Sequence, residues 1–351
     1  MTVVELRRAE PGLLVIAPDG APLVTDAAPA LDVMVLEVVG GHLSWGLLDG
    51  TELPAAVLDD VDAAQYWVWA VYGEAVALAV AGSYPQSLTA VPARPDLVAA
   101  LRRLAYAHWV SRWWPASTVD GIPSLDSRLL VNDIEFLTDA CEMVLDTAAH
   151  DDATESGLFE SQGAHDASAG RDTERAETHG RANDYALAAG GADQTDGLIV
   201  ARGSGGWDWR CCPPGILDAS ERAVSWQVTR AAGVSIVRVS VVAAPNFRRA
   251  VPEHLRPFAR LQSVRAQPPA VGVRLPLHLR GDTWTGVAEI PGPPETSLEV
   301  AVFVPGVGPA DPVEESVVRD RIRRFARLRL SDPTGDLLTA ETAAAEADED
   351  F

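Results

Sequence analysis

Apolar residues recur at three- and four-residue steps in two neighbouring segments of the chain. In the first, the apolar face contains Leu97, Leu101, Leu104, Ala105, His108, Trp109 and Trp113. In the second, it contains Leu130, Ile134, Leu137, Cys141 and Val144, opposite Asp133, Glu135, Asp139, Glu142 and Asp146. Pro115 disfavours helical angles at Trp114, and Asp126 is a suitable N-cap. The pattern predicts two amphipathic helices joined by a Trp-Trp-Pro elbow, the second with an acidic outer face.

Shorter patterns precede these helices. Residues 33–39 and 42–48 alternate on either side of Gly40 and Gly41, which predicts a β-hairpin with a tight turn. Residues 66–82 are apolar except for Glu74 and keep a helical period, but they are short for a membrane span and lack flanking arginine. We therefore expect a buried helix there. A small β-hairpin sheet with a helical hairpin or bundle makes residues 1–149 an α+β domain.

Composition changes in the middle of the chain. Residues 150–200 contain few aliphatic side chains and many Ala, Gly, Asp, Glu, Ser and Thr residues. Such a segment buries too little apolar area to offset the entropy of ordering. The sequence predicts a disordered acidic linker.

Residues 201–330 contain runs of alternating, β-branched residues separated by glycine and proline. These runs predict a C-terminal antiparallel β-sandwich or open barrel, with an edge strand at Pro276. Residues 252–261 are predicted to be an irregular or short helical connection. Trp207 and Trp209 are expected on a strand, and an Arg-rich helix is expected over residues 313–328. Residues 331–351 are predicted to be an acidic flexible tail.

Charge is distributed unevenly along the chain. The formal net charge is −22, and all 28 basic residues are arginine. The first domain, the linker and the tail are acidic, whereas residues 201–330 carry more arginines than acids. The absence of lysine excludes a self-contained P-loop, a complete kinase site, and Schiff-base or PLP chemistry. We expect no cofactor.

The cysteines and histidines are the only weak candidates for chemistry. Cys141 with His108, or Cys211 with a histidine, could supply a nucleophile and a base. Cys211 and Cys212 are adjacent, but no second ligand pair follows at zinc-site spacing, so no metal site is expected. Core packing is the favoured interpretation of these residues.

Two groups of residues are candidates for binding. Trp109, Trp113 and Trp114 could form an aromatic surface near the elbow. The second group consists of the helix arginines and the terminal aromatic residue: Arg319, Arg321, Arg323, Arg324, Arg327 and Phe351.

These observations favour a non-enzymatic adaptor or accessory subunit of a bacterial multiprotein complex. Its acidic helical module and basic β module would bind other proteins, or the acidic segments would contact the Arg-rich helix of the same chain. A cysteine-dependent hydrolase or other enzyme is the alternative, and nucleic-acid binding through the Arg-rich helix is a third hypothesis that the overall negative charge disfavours. Three cysteines without a disulfide framework and an N-terminus without a signal-peptide pattern predict a cytoplasmic protein with no membrane partner.

Overall fold

In the computed structural model, the chain forms two compact units. The first comprises Met1–Ser111, Ser127–Ala176 and Leu338–Ala340, and the second comprises Arg112–Asp126, Glu177–Leu337 and Glu341–Phe351. The residues whose structure is described are 2–9, 12–25, 29–82, 85–145, 198–245, 247, 251–263, 273–290, 298–309, 315–332 and 335–349. Residues 150–197 of the predicted linker and Phe351 therefore lie outside the described residues.

A six-stranded antiparallel sheet forms the first unit together with four helices. Its strands are β1 (Thr2–Arg8), β2 (Leu14–Pro18), β3 (Val33–Val38), β4 (Gly41–Gly46), β5 (Ala55–Leu58) and β6 (Gln86–Ala90). Their spatial order is β3-β4-β5-β2-β1-β6. The predicted hairpin is present, because β3 pairs with β4 from Val33 opposite Gly46 to Val38 opposite Gly41.

The helices of this unit follow the sequence pattern with one interruption. They are α1 (Val61–Tyr72), α2 (Glu74–Ala79), α3 (Pro95–Trp113) and α4 (Ser127–Cys141). The helix expected over residues 66–82 is two helices, because Gly73 has a positive φ of 88° and its backbone approaches the Val91 carbonyl. Glu74 is exposed at the start of α2 and Leu78 is 73% exposed, so α2 lies at the surface and not, as expected of this segment, in the core.

Three large aromatic side chains in the core of the first unit donate hydrogen bonds to backbone carbonyls. The indole N–H of Trp67 donates to the Val39 oxygen at 2.7 Å, and that of Trp109 donates to the Leu31 oxygen at 2.7 Å. The Tyr72 hydroxyl donates to the Pro54 oxygen at 3.0 Å, and burial raises its pKa. These bonds satisfy polar groups that would otherwise be costly to bury.

The second unit contains two antiparallel sheets. The five-stranded sheet has the order β12-β13-β9-β8-β7, formed by β7 (Leu198–Gly205), β8 (Val224–Ala231), β9 (Val234–Val242), β12 (His278–Arg280) and β13 (Thr283–Ile290). The three-stranded sheet has the order β11-β10-β14, formed by β10 (Phe258–Ser263), β11 (Val273–Pro276) and β14 (Leu298–Phe303). The chain passes between the sheets at Leu277, which is fully buried. Pro276 ends an edge strand, as predicted.

Three segments of the second unit differ from expectation. Strand β7 begins at Leu198, inside the range predicted to be linker. Strand β10 occupies part of the predicted connection, where only Glu253–Leu255 forms a 3-10 turn. Trp209 lies in another 3-10 turn, Trp209–Cys211. The Asp208 side chain caps the start of this turn by accepting a hydrogen bond from the Arg210 amide. These segments are short, so tertiary pairing outweighs local pattern.

Two helices end the chain. The predicted Arg-rich helix is α5 (Ser316–Ser331), and α6 (Thr339–Glu349) occupies most of the segment predicted to be a flexible tail. Alanine is the strongest helix former, and α6 contains five alanines among its eleven residues, which explains this difference. Among the described residues, no helix combines the length and apolar character that crossing a bilayer requires.

Candidate interaction surfaces

The arginines of α5 divide into buried and exposed residues. Arg319 and Arg323 are only 2% and 4% exposed. Both bind Glu221, which lies between β7 and β8 in the chain. Arg319 makes two bonds to this carboxylate, Nε to Oε1 at 2.6 Å and Nη2 to Oε2 at 3.0 Å, and Arg323 Nη1 donates to Oε1 at 3.1 Å. Two buried cations therefore share one carboxylate.

A second carboxylate, Asp120, extends this cluster to the elbow. Its Oδ2 is 3.5 Å from Arg323 Nε, and its Oδ1 is 3.2 Å from Arg222 Nη2. Arg327 donates from Nε and Nη2 to the Asp120 backbone oxygen at 3.3 Å. The cluster fixes α5 against the 112–126 segment, so Arg319, Arg323 and Arg327 bind groups within the second unit.

The remaining arginines of α5 have different surroundings. Arg329 makes a two-bond pair with Glu341 of α6, with both distances 2.6 Å, and Glu341 is fully buried. Arg321 is exposed, and the side chain of Arg324 is 70% exposed and pairs with Asp320 at 2.6 Å. Of the five predicted binding arginines, Arg321, Arg324 and Arg327 are therefore exposed, and Arg327 contacts the Asp120 backbone oxygen.

The elbow is held by a buried carboxylate that the sequence pattern did not single out. Asp218 is fully buried and accepts four hydrogen bonds, from Ser117 Oγ at 2.7 Å and from the Thr118, Val119 and Ser220 amides at 2.7, 3.3 and 2.9 Å. Burial raises its pKa, and these bonds oppose the rise. The only local signal for this role is the Asp-Ala-Ser order, which is typical of a turn.

The tryptophans predicted to bind a partner are mostly packed. Trp109 is 4% exposed. Trp113 and Trp114 are half-buried; the Trp114 N–H donates to the Pro123 oxygen at 2.9 Å, and the Arg112 guanidinium lies 4.9 Å above the Trp113 ring. His108 is half-buried, and its backbone oxygen accepts from Ser111 Oγ. The elbow therefore uses its aromatic rings chiefly for packing.

All three cysteines are free and buried. Burial raises the pKa of Cys141 to about 11 and also raises the pKa values of Cys211 and Cys212. A nucleophilic cysteine needs the opposite shift, since the thiolate is the reactive species. Within the described part of the chain, no group of three His, Cys, Asp or Glu residues could hold a metal ion.

An exposed apolar stripe lies on α4 and the turn that follows it. Phe136 and Met143 are 74% and 77% exposed, and the exposed Ala140 lies between them. Phe136 and Ala140 lie one turn apart on the same face of α4, and Met143 lies in the turn that follows Cys141. Each of these three residues is immediately preceded by an exposed acid: Glu135, Asp139 or Glu142. The result is an apolar stripe with an acidic border, which we call the α4 stripe.

Comparison with known proteins does not extend this picture: no family model matches the chain, and neither a curated protein nor a solved structure is significantly similar to it.

Proposed function

We propose that this protein is a non-enzymatic adaptor or accessory subunit that binds another protein through the α4 stripe. The observation that supports the proposal most directly is the exposure of two large apolar side chains, Phe136 on α4 and Met143 in the turn that follows it. Single exposed apolar residues are common on protein surfaces, but large apolar residues that are exposed close together and bordered by polar groups are typical of a partner site. The other face of α4 is buried through Leu130, Leu137 and Cys141. The helix therefore has a second apolar surface beyond the one its own unit uses.

Charge defines the chemistry of the proposed partner. The acids beside the stripe favour a basic amphipathic segment, whose apolar side chains cover Phe136 and Met143 while its arginines or lysines face Glu135, Asp139 and Glu142. Complementary charge at the rim of such an interface raises the association rate and selects the partner. The cysteine-hydrolase alternative has weaker support, because the pKa of each candidate thiol is raised.

The finer architecture and location belong to the same proposal. We propose that the two sheets of the second unit form an open barrel or sandwich, which the passage of the chain between them at Leu277 supports. Three free cysteines, two of them adjacent, support a reducing cytoplasm. A tether between the two units would keep two weak contacts at high effective concentration.

The test uses the full chain immobilised in native lysate, with retained proteins quantified by mass spectrometry. The variant F136D/M143D places charge in the stripe. We expect the amount of the stoichiometric partner that it retains to be at least about tenfold lower than for the wild type, as for other central interface residues. That partner should contain a basic amphipathic segment which binds the purified wild-type chain.

The matched control is L78D/V91D, which replaces two other exposed apolar residues of the first unit, 73% and 53% exposed. It adds the same charge away from α4 and should retain the partner. Equal retention by F136D/M143D and wild type, or equal loss in both variants, would refute the α4 stripe as the binding surface. Circular dichroism of each variant excludes unfolding as the cause.

A further inference from the structure

The outward face of the five-stranded sheet differs in character from its inward face. In the central strand β9, Ser235, Val237, Val239 and Val241 are buried, and the residues between them are half-exposed. The inward face packs against Leu275 and Leu277, whose side chains adjoin Gly286 of β13. Alternation along β9 therefore places Ile236, Arg238 and Ser240 on the outward face.

Strand register aligns polar residues across this outward face. Arg202 of β7 lies opposite Gln227 of β8, and Gln227 lies opposite Arg238 of β9. An adjacent row is formed by residues with hydroxyl groups followed by a histidine: Ser204, Ser225, Ser240, Thr285 and His278. The two rows lie side by side, two residues apart along each strand.

Among the described residues, the arginines of this face form no ion pair, although the exposed Glu289 lies on the same face opposite Ile236. No carboxylate among the described residues pairs with Arg202, Arg238 or Arg280, and Arg280 lies on the same face opposite Thr283. This contrasts with Arg319 and Arg323, whose guanidiniums are buried against Glu221. Apolar residues, Ile199 and Val287, adjoin the row and are 54% and 53% exposed.

We propose that this outward face binds an acidic segment of a partner protein. Neighbouring strands lie about 4.8 Å apart, so Arg202 and Arg238, two strands apart, present their charges at a spacing of about 10 Å. Carboxylates seven residues apart on one face of a helix match that spacing at about 10 Å. Gln227 supplies an amide between the two guanidiniums, and the exposed hydroxyl of Ser204 lies two residues from Arg202 on the same face.

The composition of the face favours carboxylates over nucleic acid. Single-stranded nucleic acids are bound by aromatic rings on which bases stack. The tryptophans of this sheet, Trp226 and Trp284, lie opposite Val239 and Val241 and so belong to the inward face. The formal charge of −22 also opposes the approach of a polyanion with dense charge. A short acidic peptide with apolar residues would pair its carboxylates with the arginines and pack its apolar side chains against Ile199 or Val287.

This inference rests on the proposed adaptor function, to which it adds a second partner surface of opposite charge. The α4 stripe favours a basic segment, and the outward sheet face favours an acidic one.

The experiment measures fluorescence anisotropy of a short labelled poly-L-glutamate titrated with the full chain. We expect R202Q/R238Q to weaken binding by about tenfold, since two charge-assisted contacts are lost. The matched control R256Q/R274Q removes two exposed arginines of the same unit outside this sheet and should weaken binding by less than about twofold.

Equal weakening by both double variants would mean a diffuse charge effect and would overturn the proposal, as would the absence of any binding. Tighter binding of an oligothymidylate of matched charge, lost in R202Q/R238Q, would assign the face to nucleic acid instead. The α4 variant F136D/M143D should bind poly-L-glutamate like the wild type, so failure of the α4 proposal and failure of this one are separable.

Discussion

At the scale of single residues, Glu221 is the group on which the arginine cluster depends. Its carboxylate accepts bonds from two guanidiniums that are almost fully buried, and Gly206 leaves it room because a Cβ there would overlap its Oε2. Arginine is suited to this arrangement, since its planar fork makes two parallel bonds to one carboxylate. Removing the carboxylate leaves two buried cations, of which Arg323 keeps Asp120 and Asp320 at 3.5 Å.

We expect E221A to lower the free energy of unfolding by about 2 kcal/mol, less than for a fully buried pair because the Glu221 side chain is 28% exposed. Urea titration of the full chain followed by tryptophan fluorescence measures this change. The control E253A removes an acid that is 90% exposed and 3.8 Å from Arg256, and should cost less than about 0.5 kcal/mol. A loss no greater than that of the control would show that the cluster adds no stability.

At the scale of elements, the turn of the β3–β4 hairpin shows how close packing selects glycine. Gly40 has a φ of 75°, and a Cβ at Gly41 would overlap the backbone oxygen of Val57 in β5. Gly41 is also paired opposite Leu58, so the third strand approaches the turn directly. The sequence predicted a turn at the Gly-Gly pair, but it did not predict the close approach of β5.

We expect G41A to destabilise the protein by about 3 kcal/mol or more, because backbone of a paired strand must move to admit a methyl group. The comparison is G20A, at another turn glycine with a φ of 77° and no atom within 4 Å of the added Cβ, which should cost about 1 kcal/mol. Thermal unfolding followed by circular dichroism ranks the two variants. A smaller loss for G41A than for G20A would contradict this account.

At the scale of the whole molecule, short-range pairing and long-range repulsion act in opposite directions. Individual clusters pair arginine with carboxylate at distances as short as 2.6 Å, yet the chain as a whole carries a formal charge of −22. Repulsion among excess carboxylates acts over tens of ångströms and is screened by salt, whereas buried pairs are screened much less.

We therefore expect added sodium chloride to raise the melting temperature by a few degrees as the Debye length falls from about 30 Å at 0.01 M to about 10 Å at 0.1 M. Differential scanning calorimetry across a salt series measures the trend. A melting temperature that falls with salt would mean that exposed ion pairs, such as Arg324–Asp320, outweigh the repulsion between excess acids.

The sequence by itself determined the elements that carry a long local period or a specific turn: α3, α4, α5, the β3–β4 hairpin, and the antiparallel character of β8, β9 and β13. The sequence pattern did not predict the short strands β1, β5, β6 and β7. Four to eight residues with weak alternation become strands only when neighbouring strands pair with them. Helix α6 was not predicted either, because alanine and acid suit a helix and a solvated tail alike.

Only the tertiary structure decided which charged and apolar residues remain at the surface. Arg319 and Arg321 stand two positions apart in one helix, yet one is buried against Glu221 and the other is exposed. Strand register places Arg202 and Arg238, which are 36 positions apart in the sequence, in one row with Gln227 between them. Exposure and proximity depend on contacts between distant parts of the chain, and no local pattern contains them.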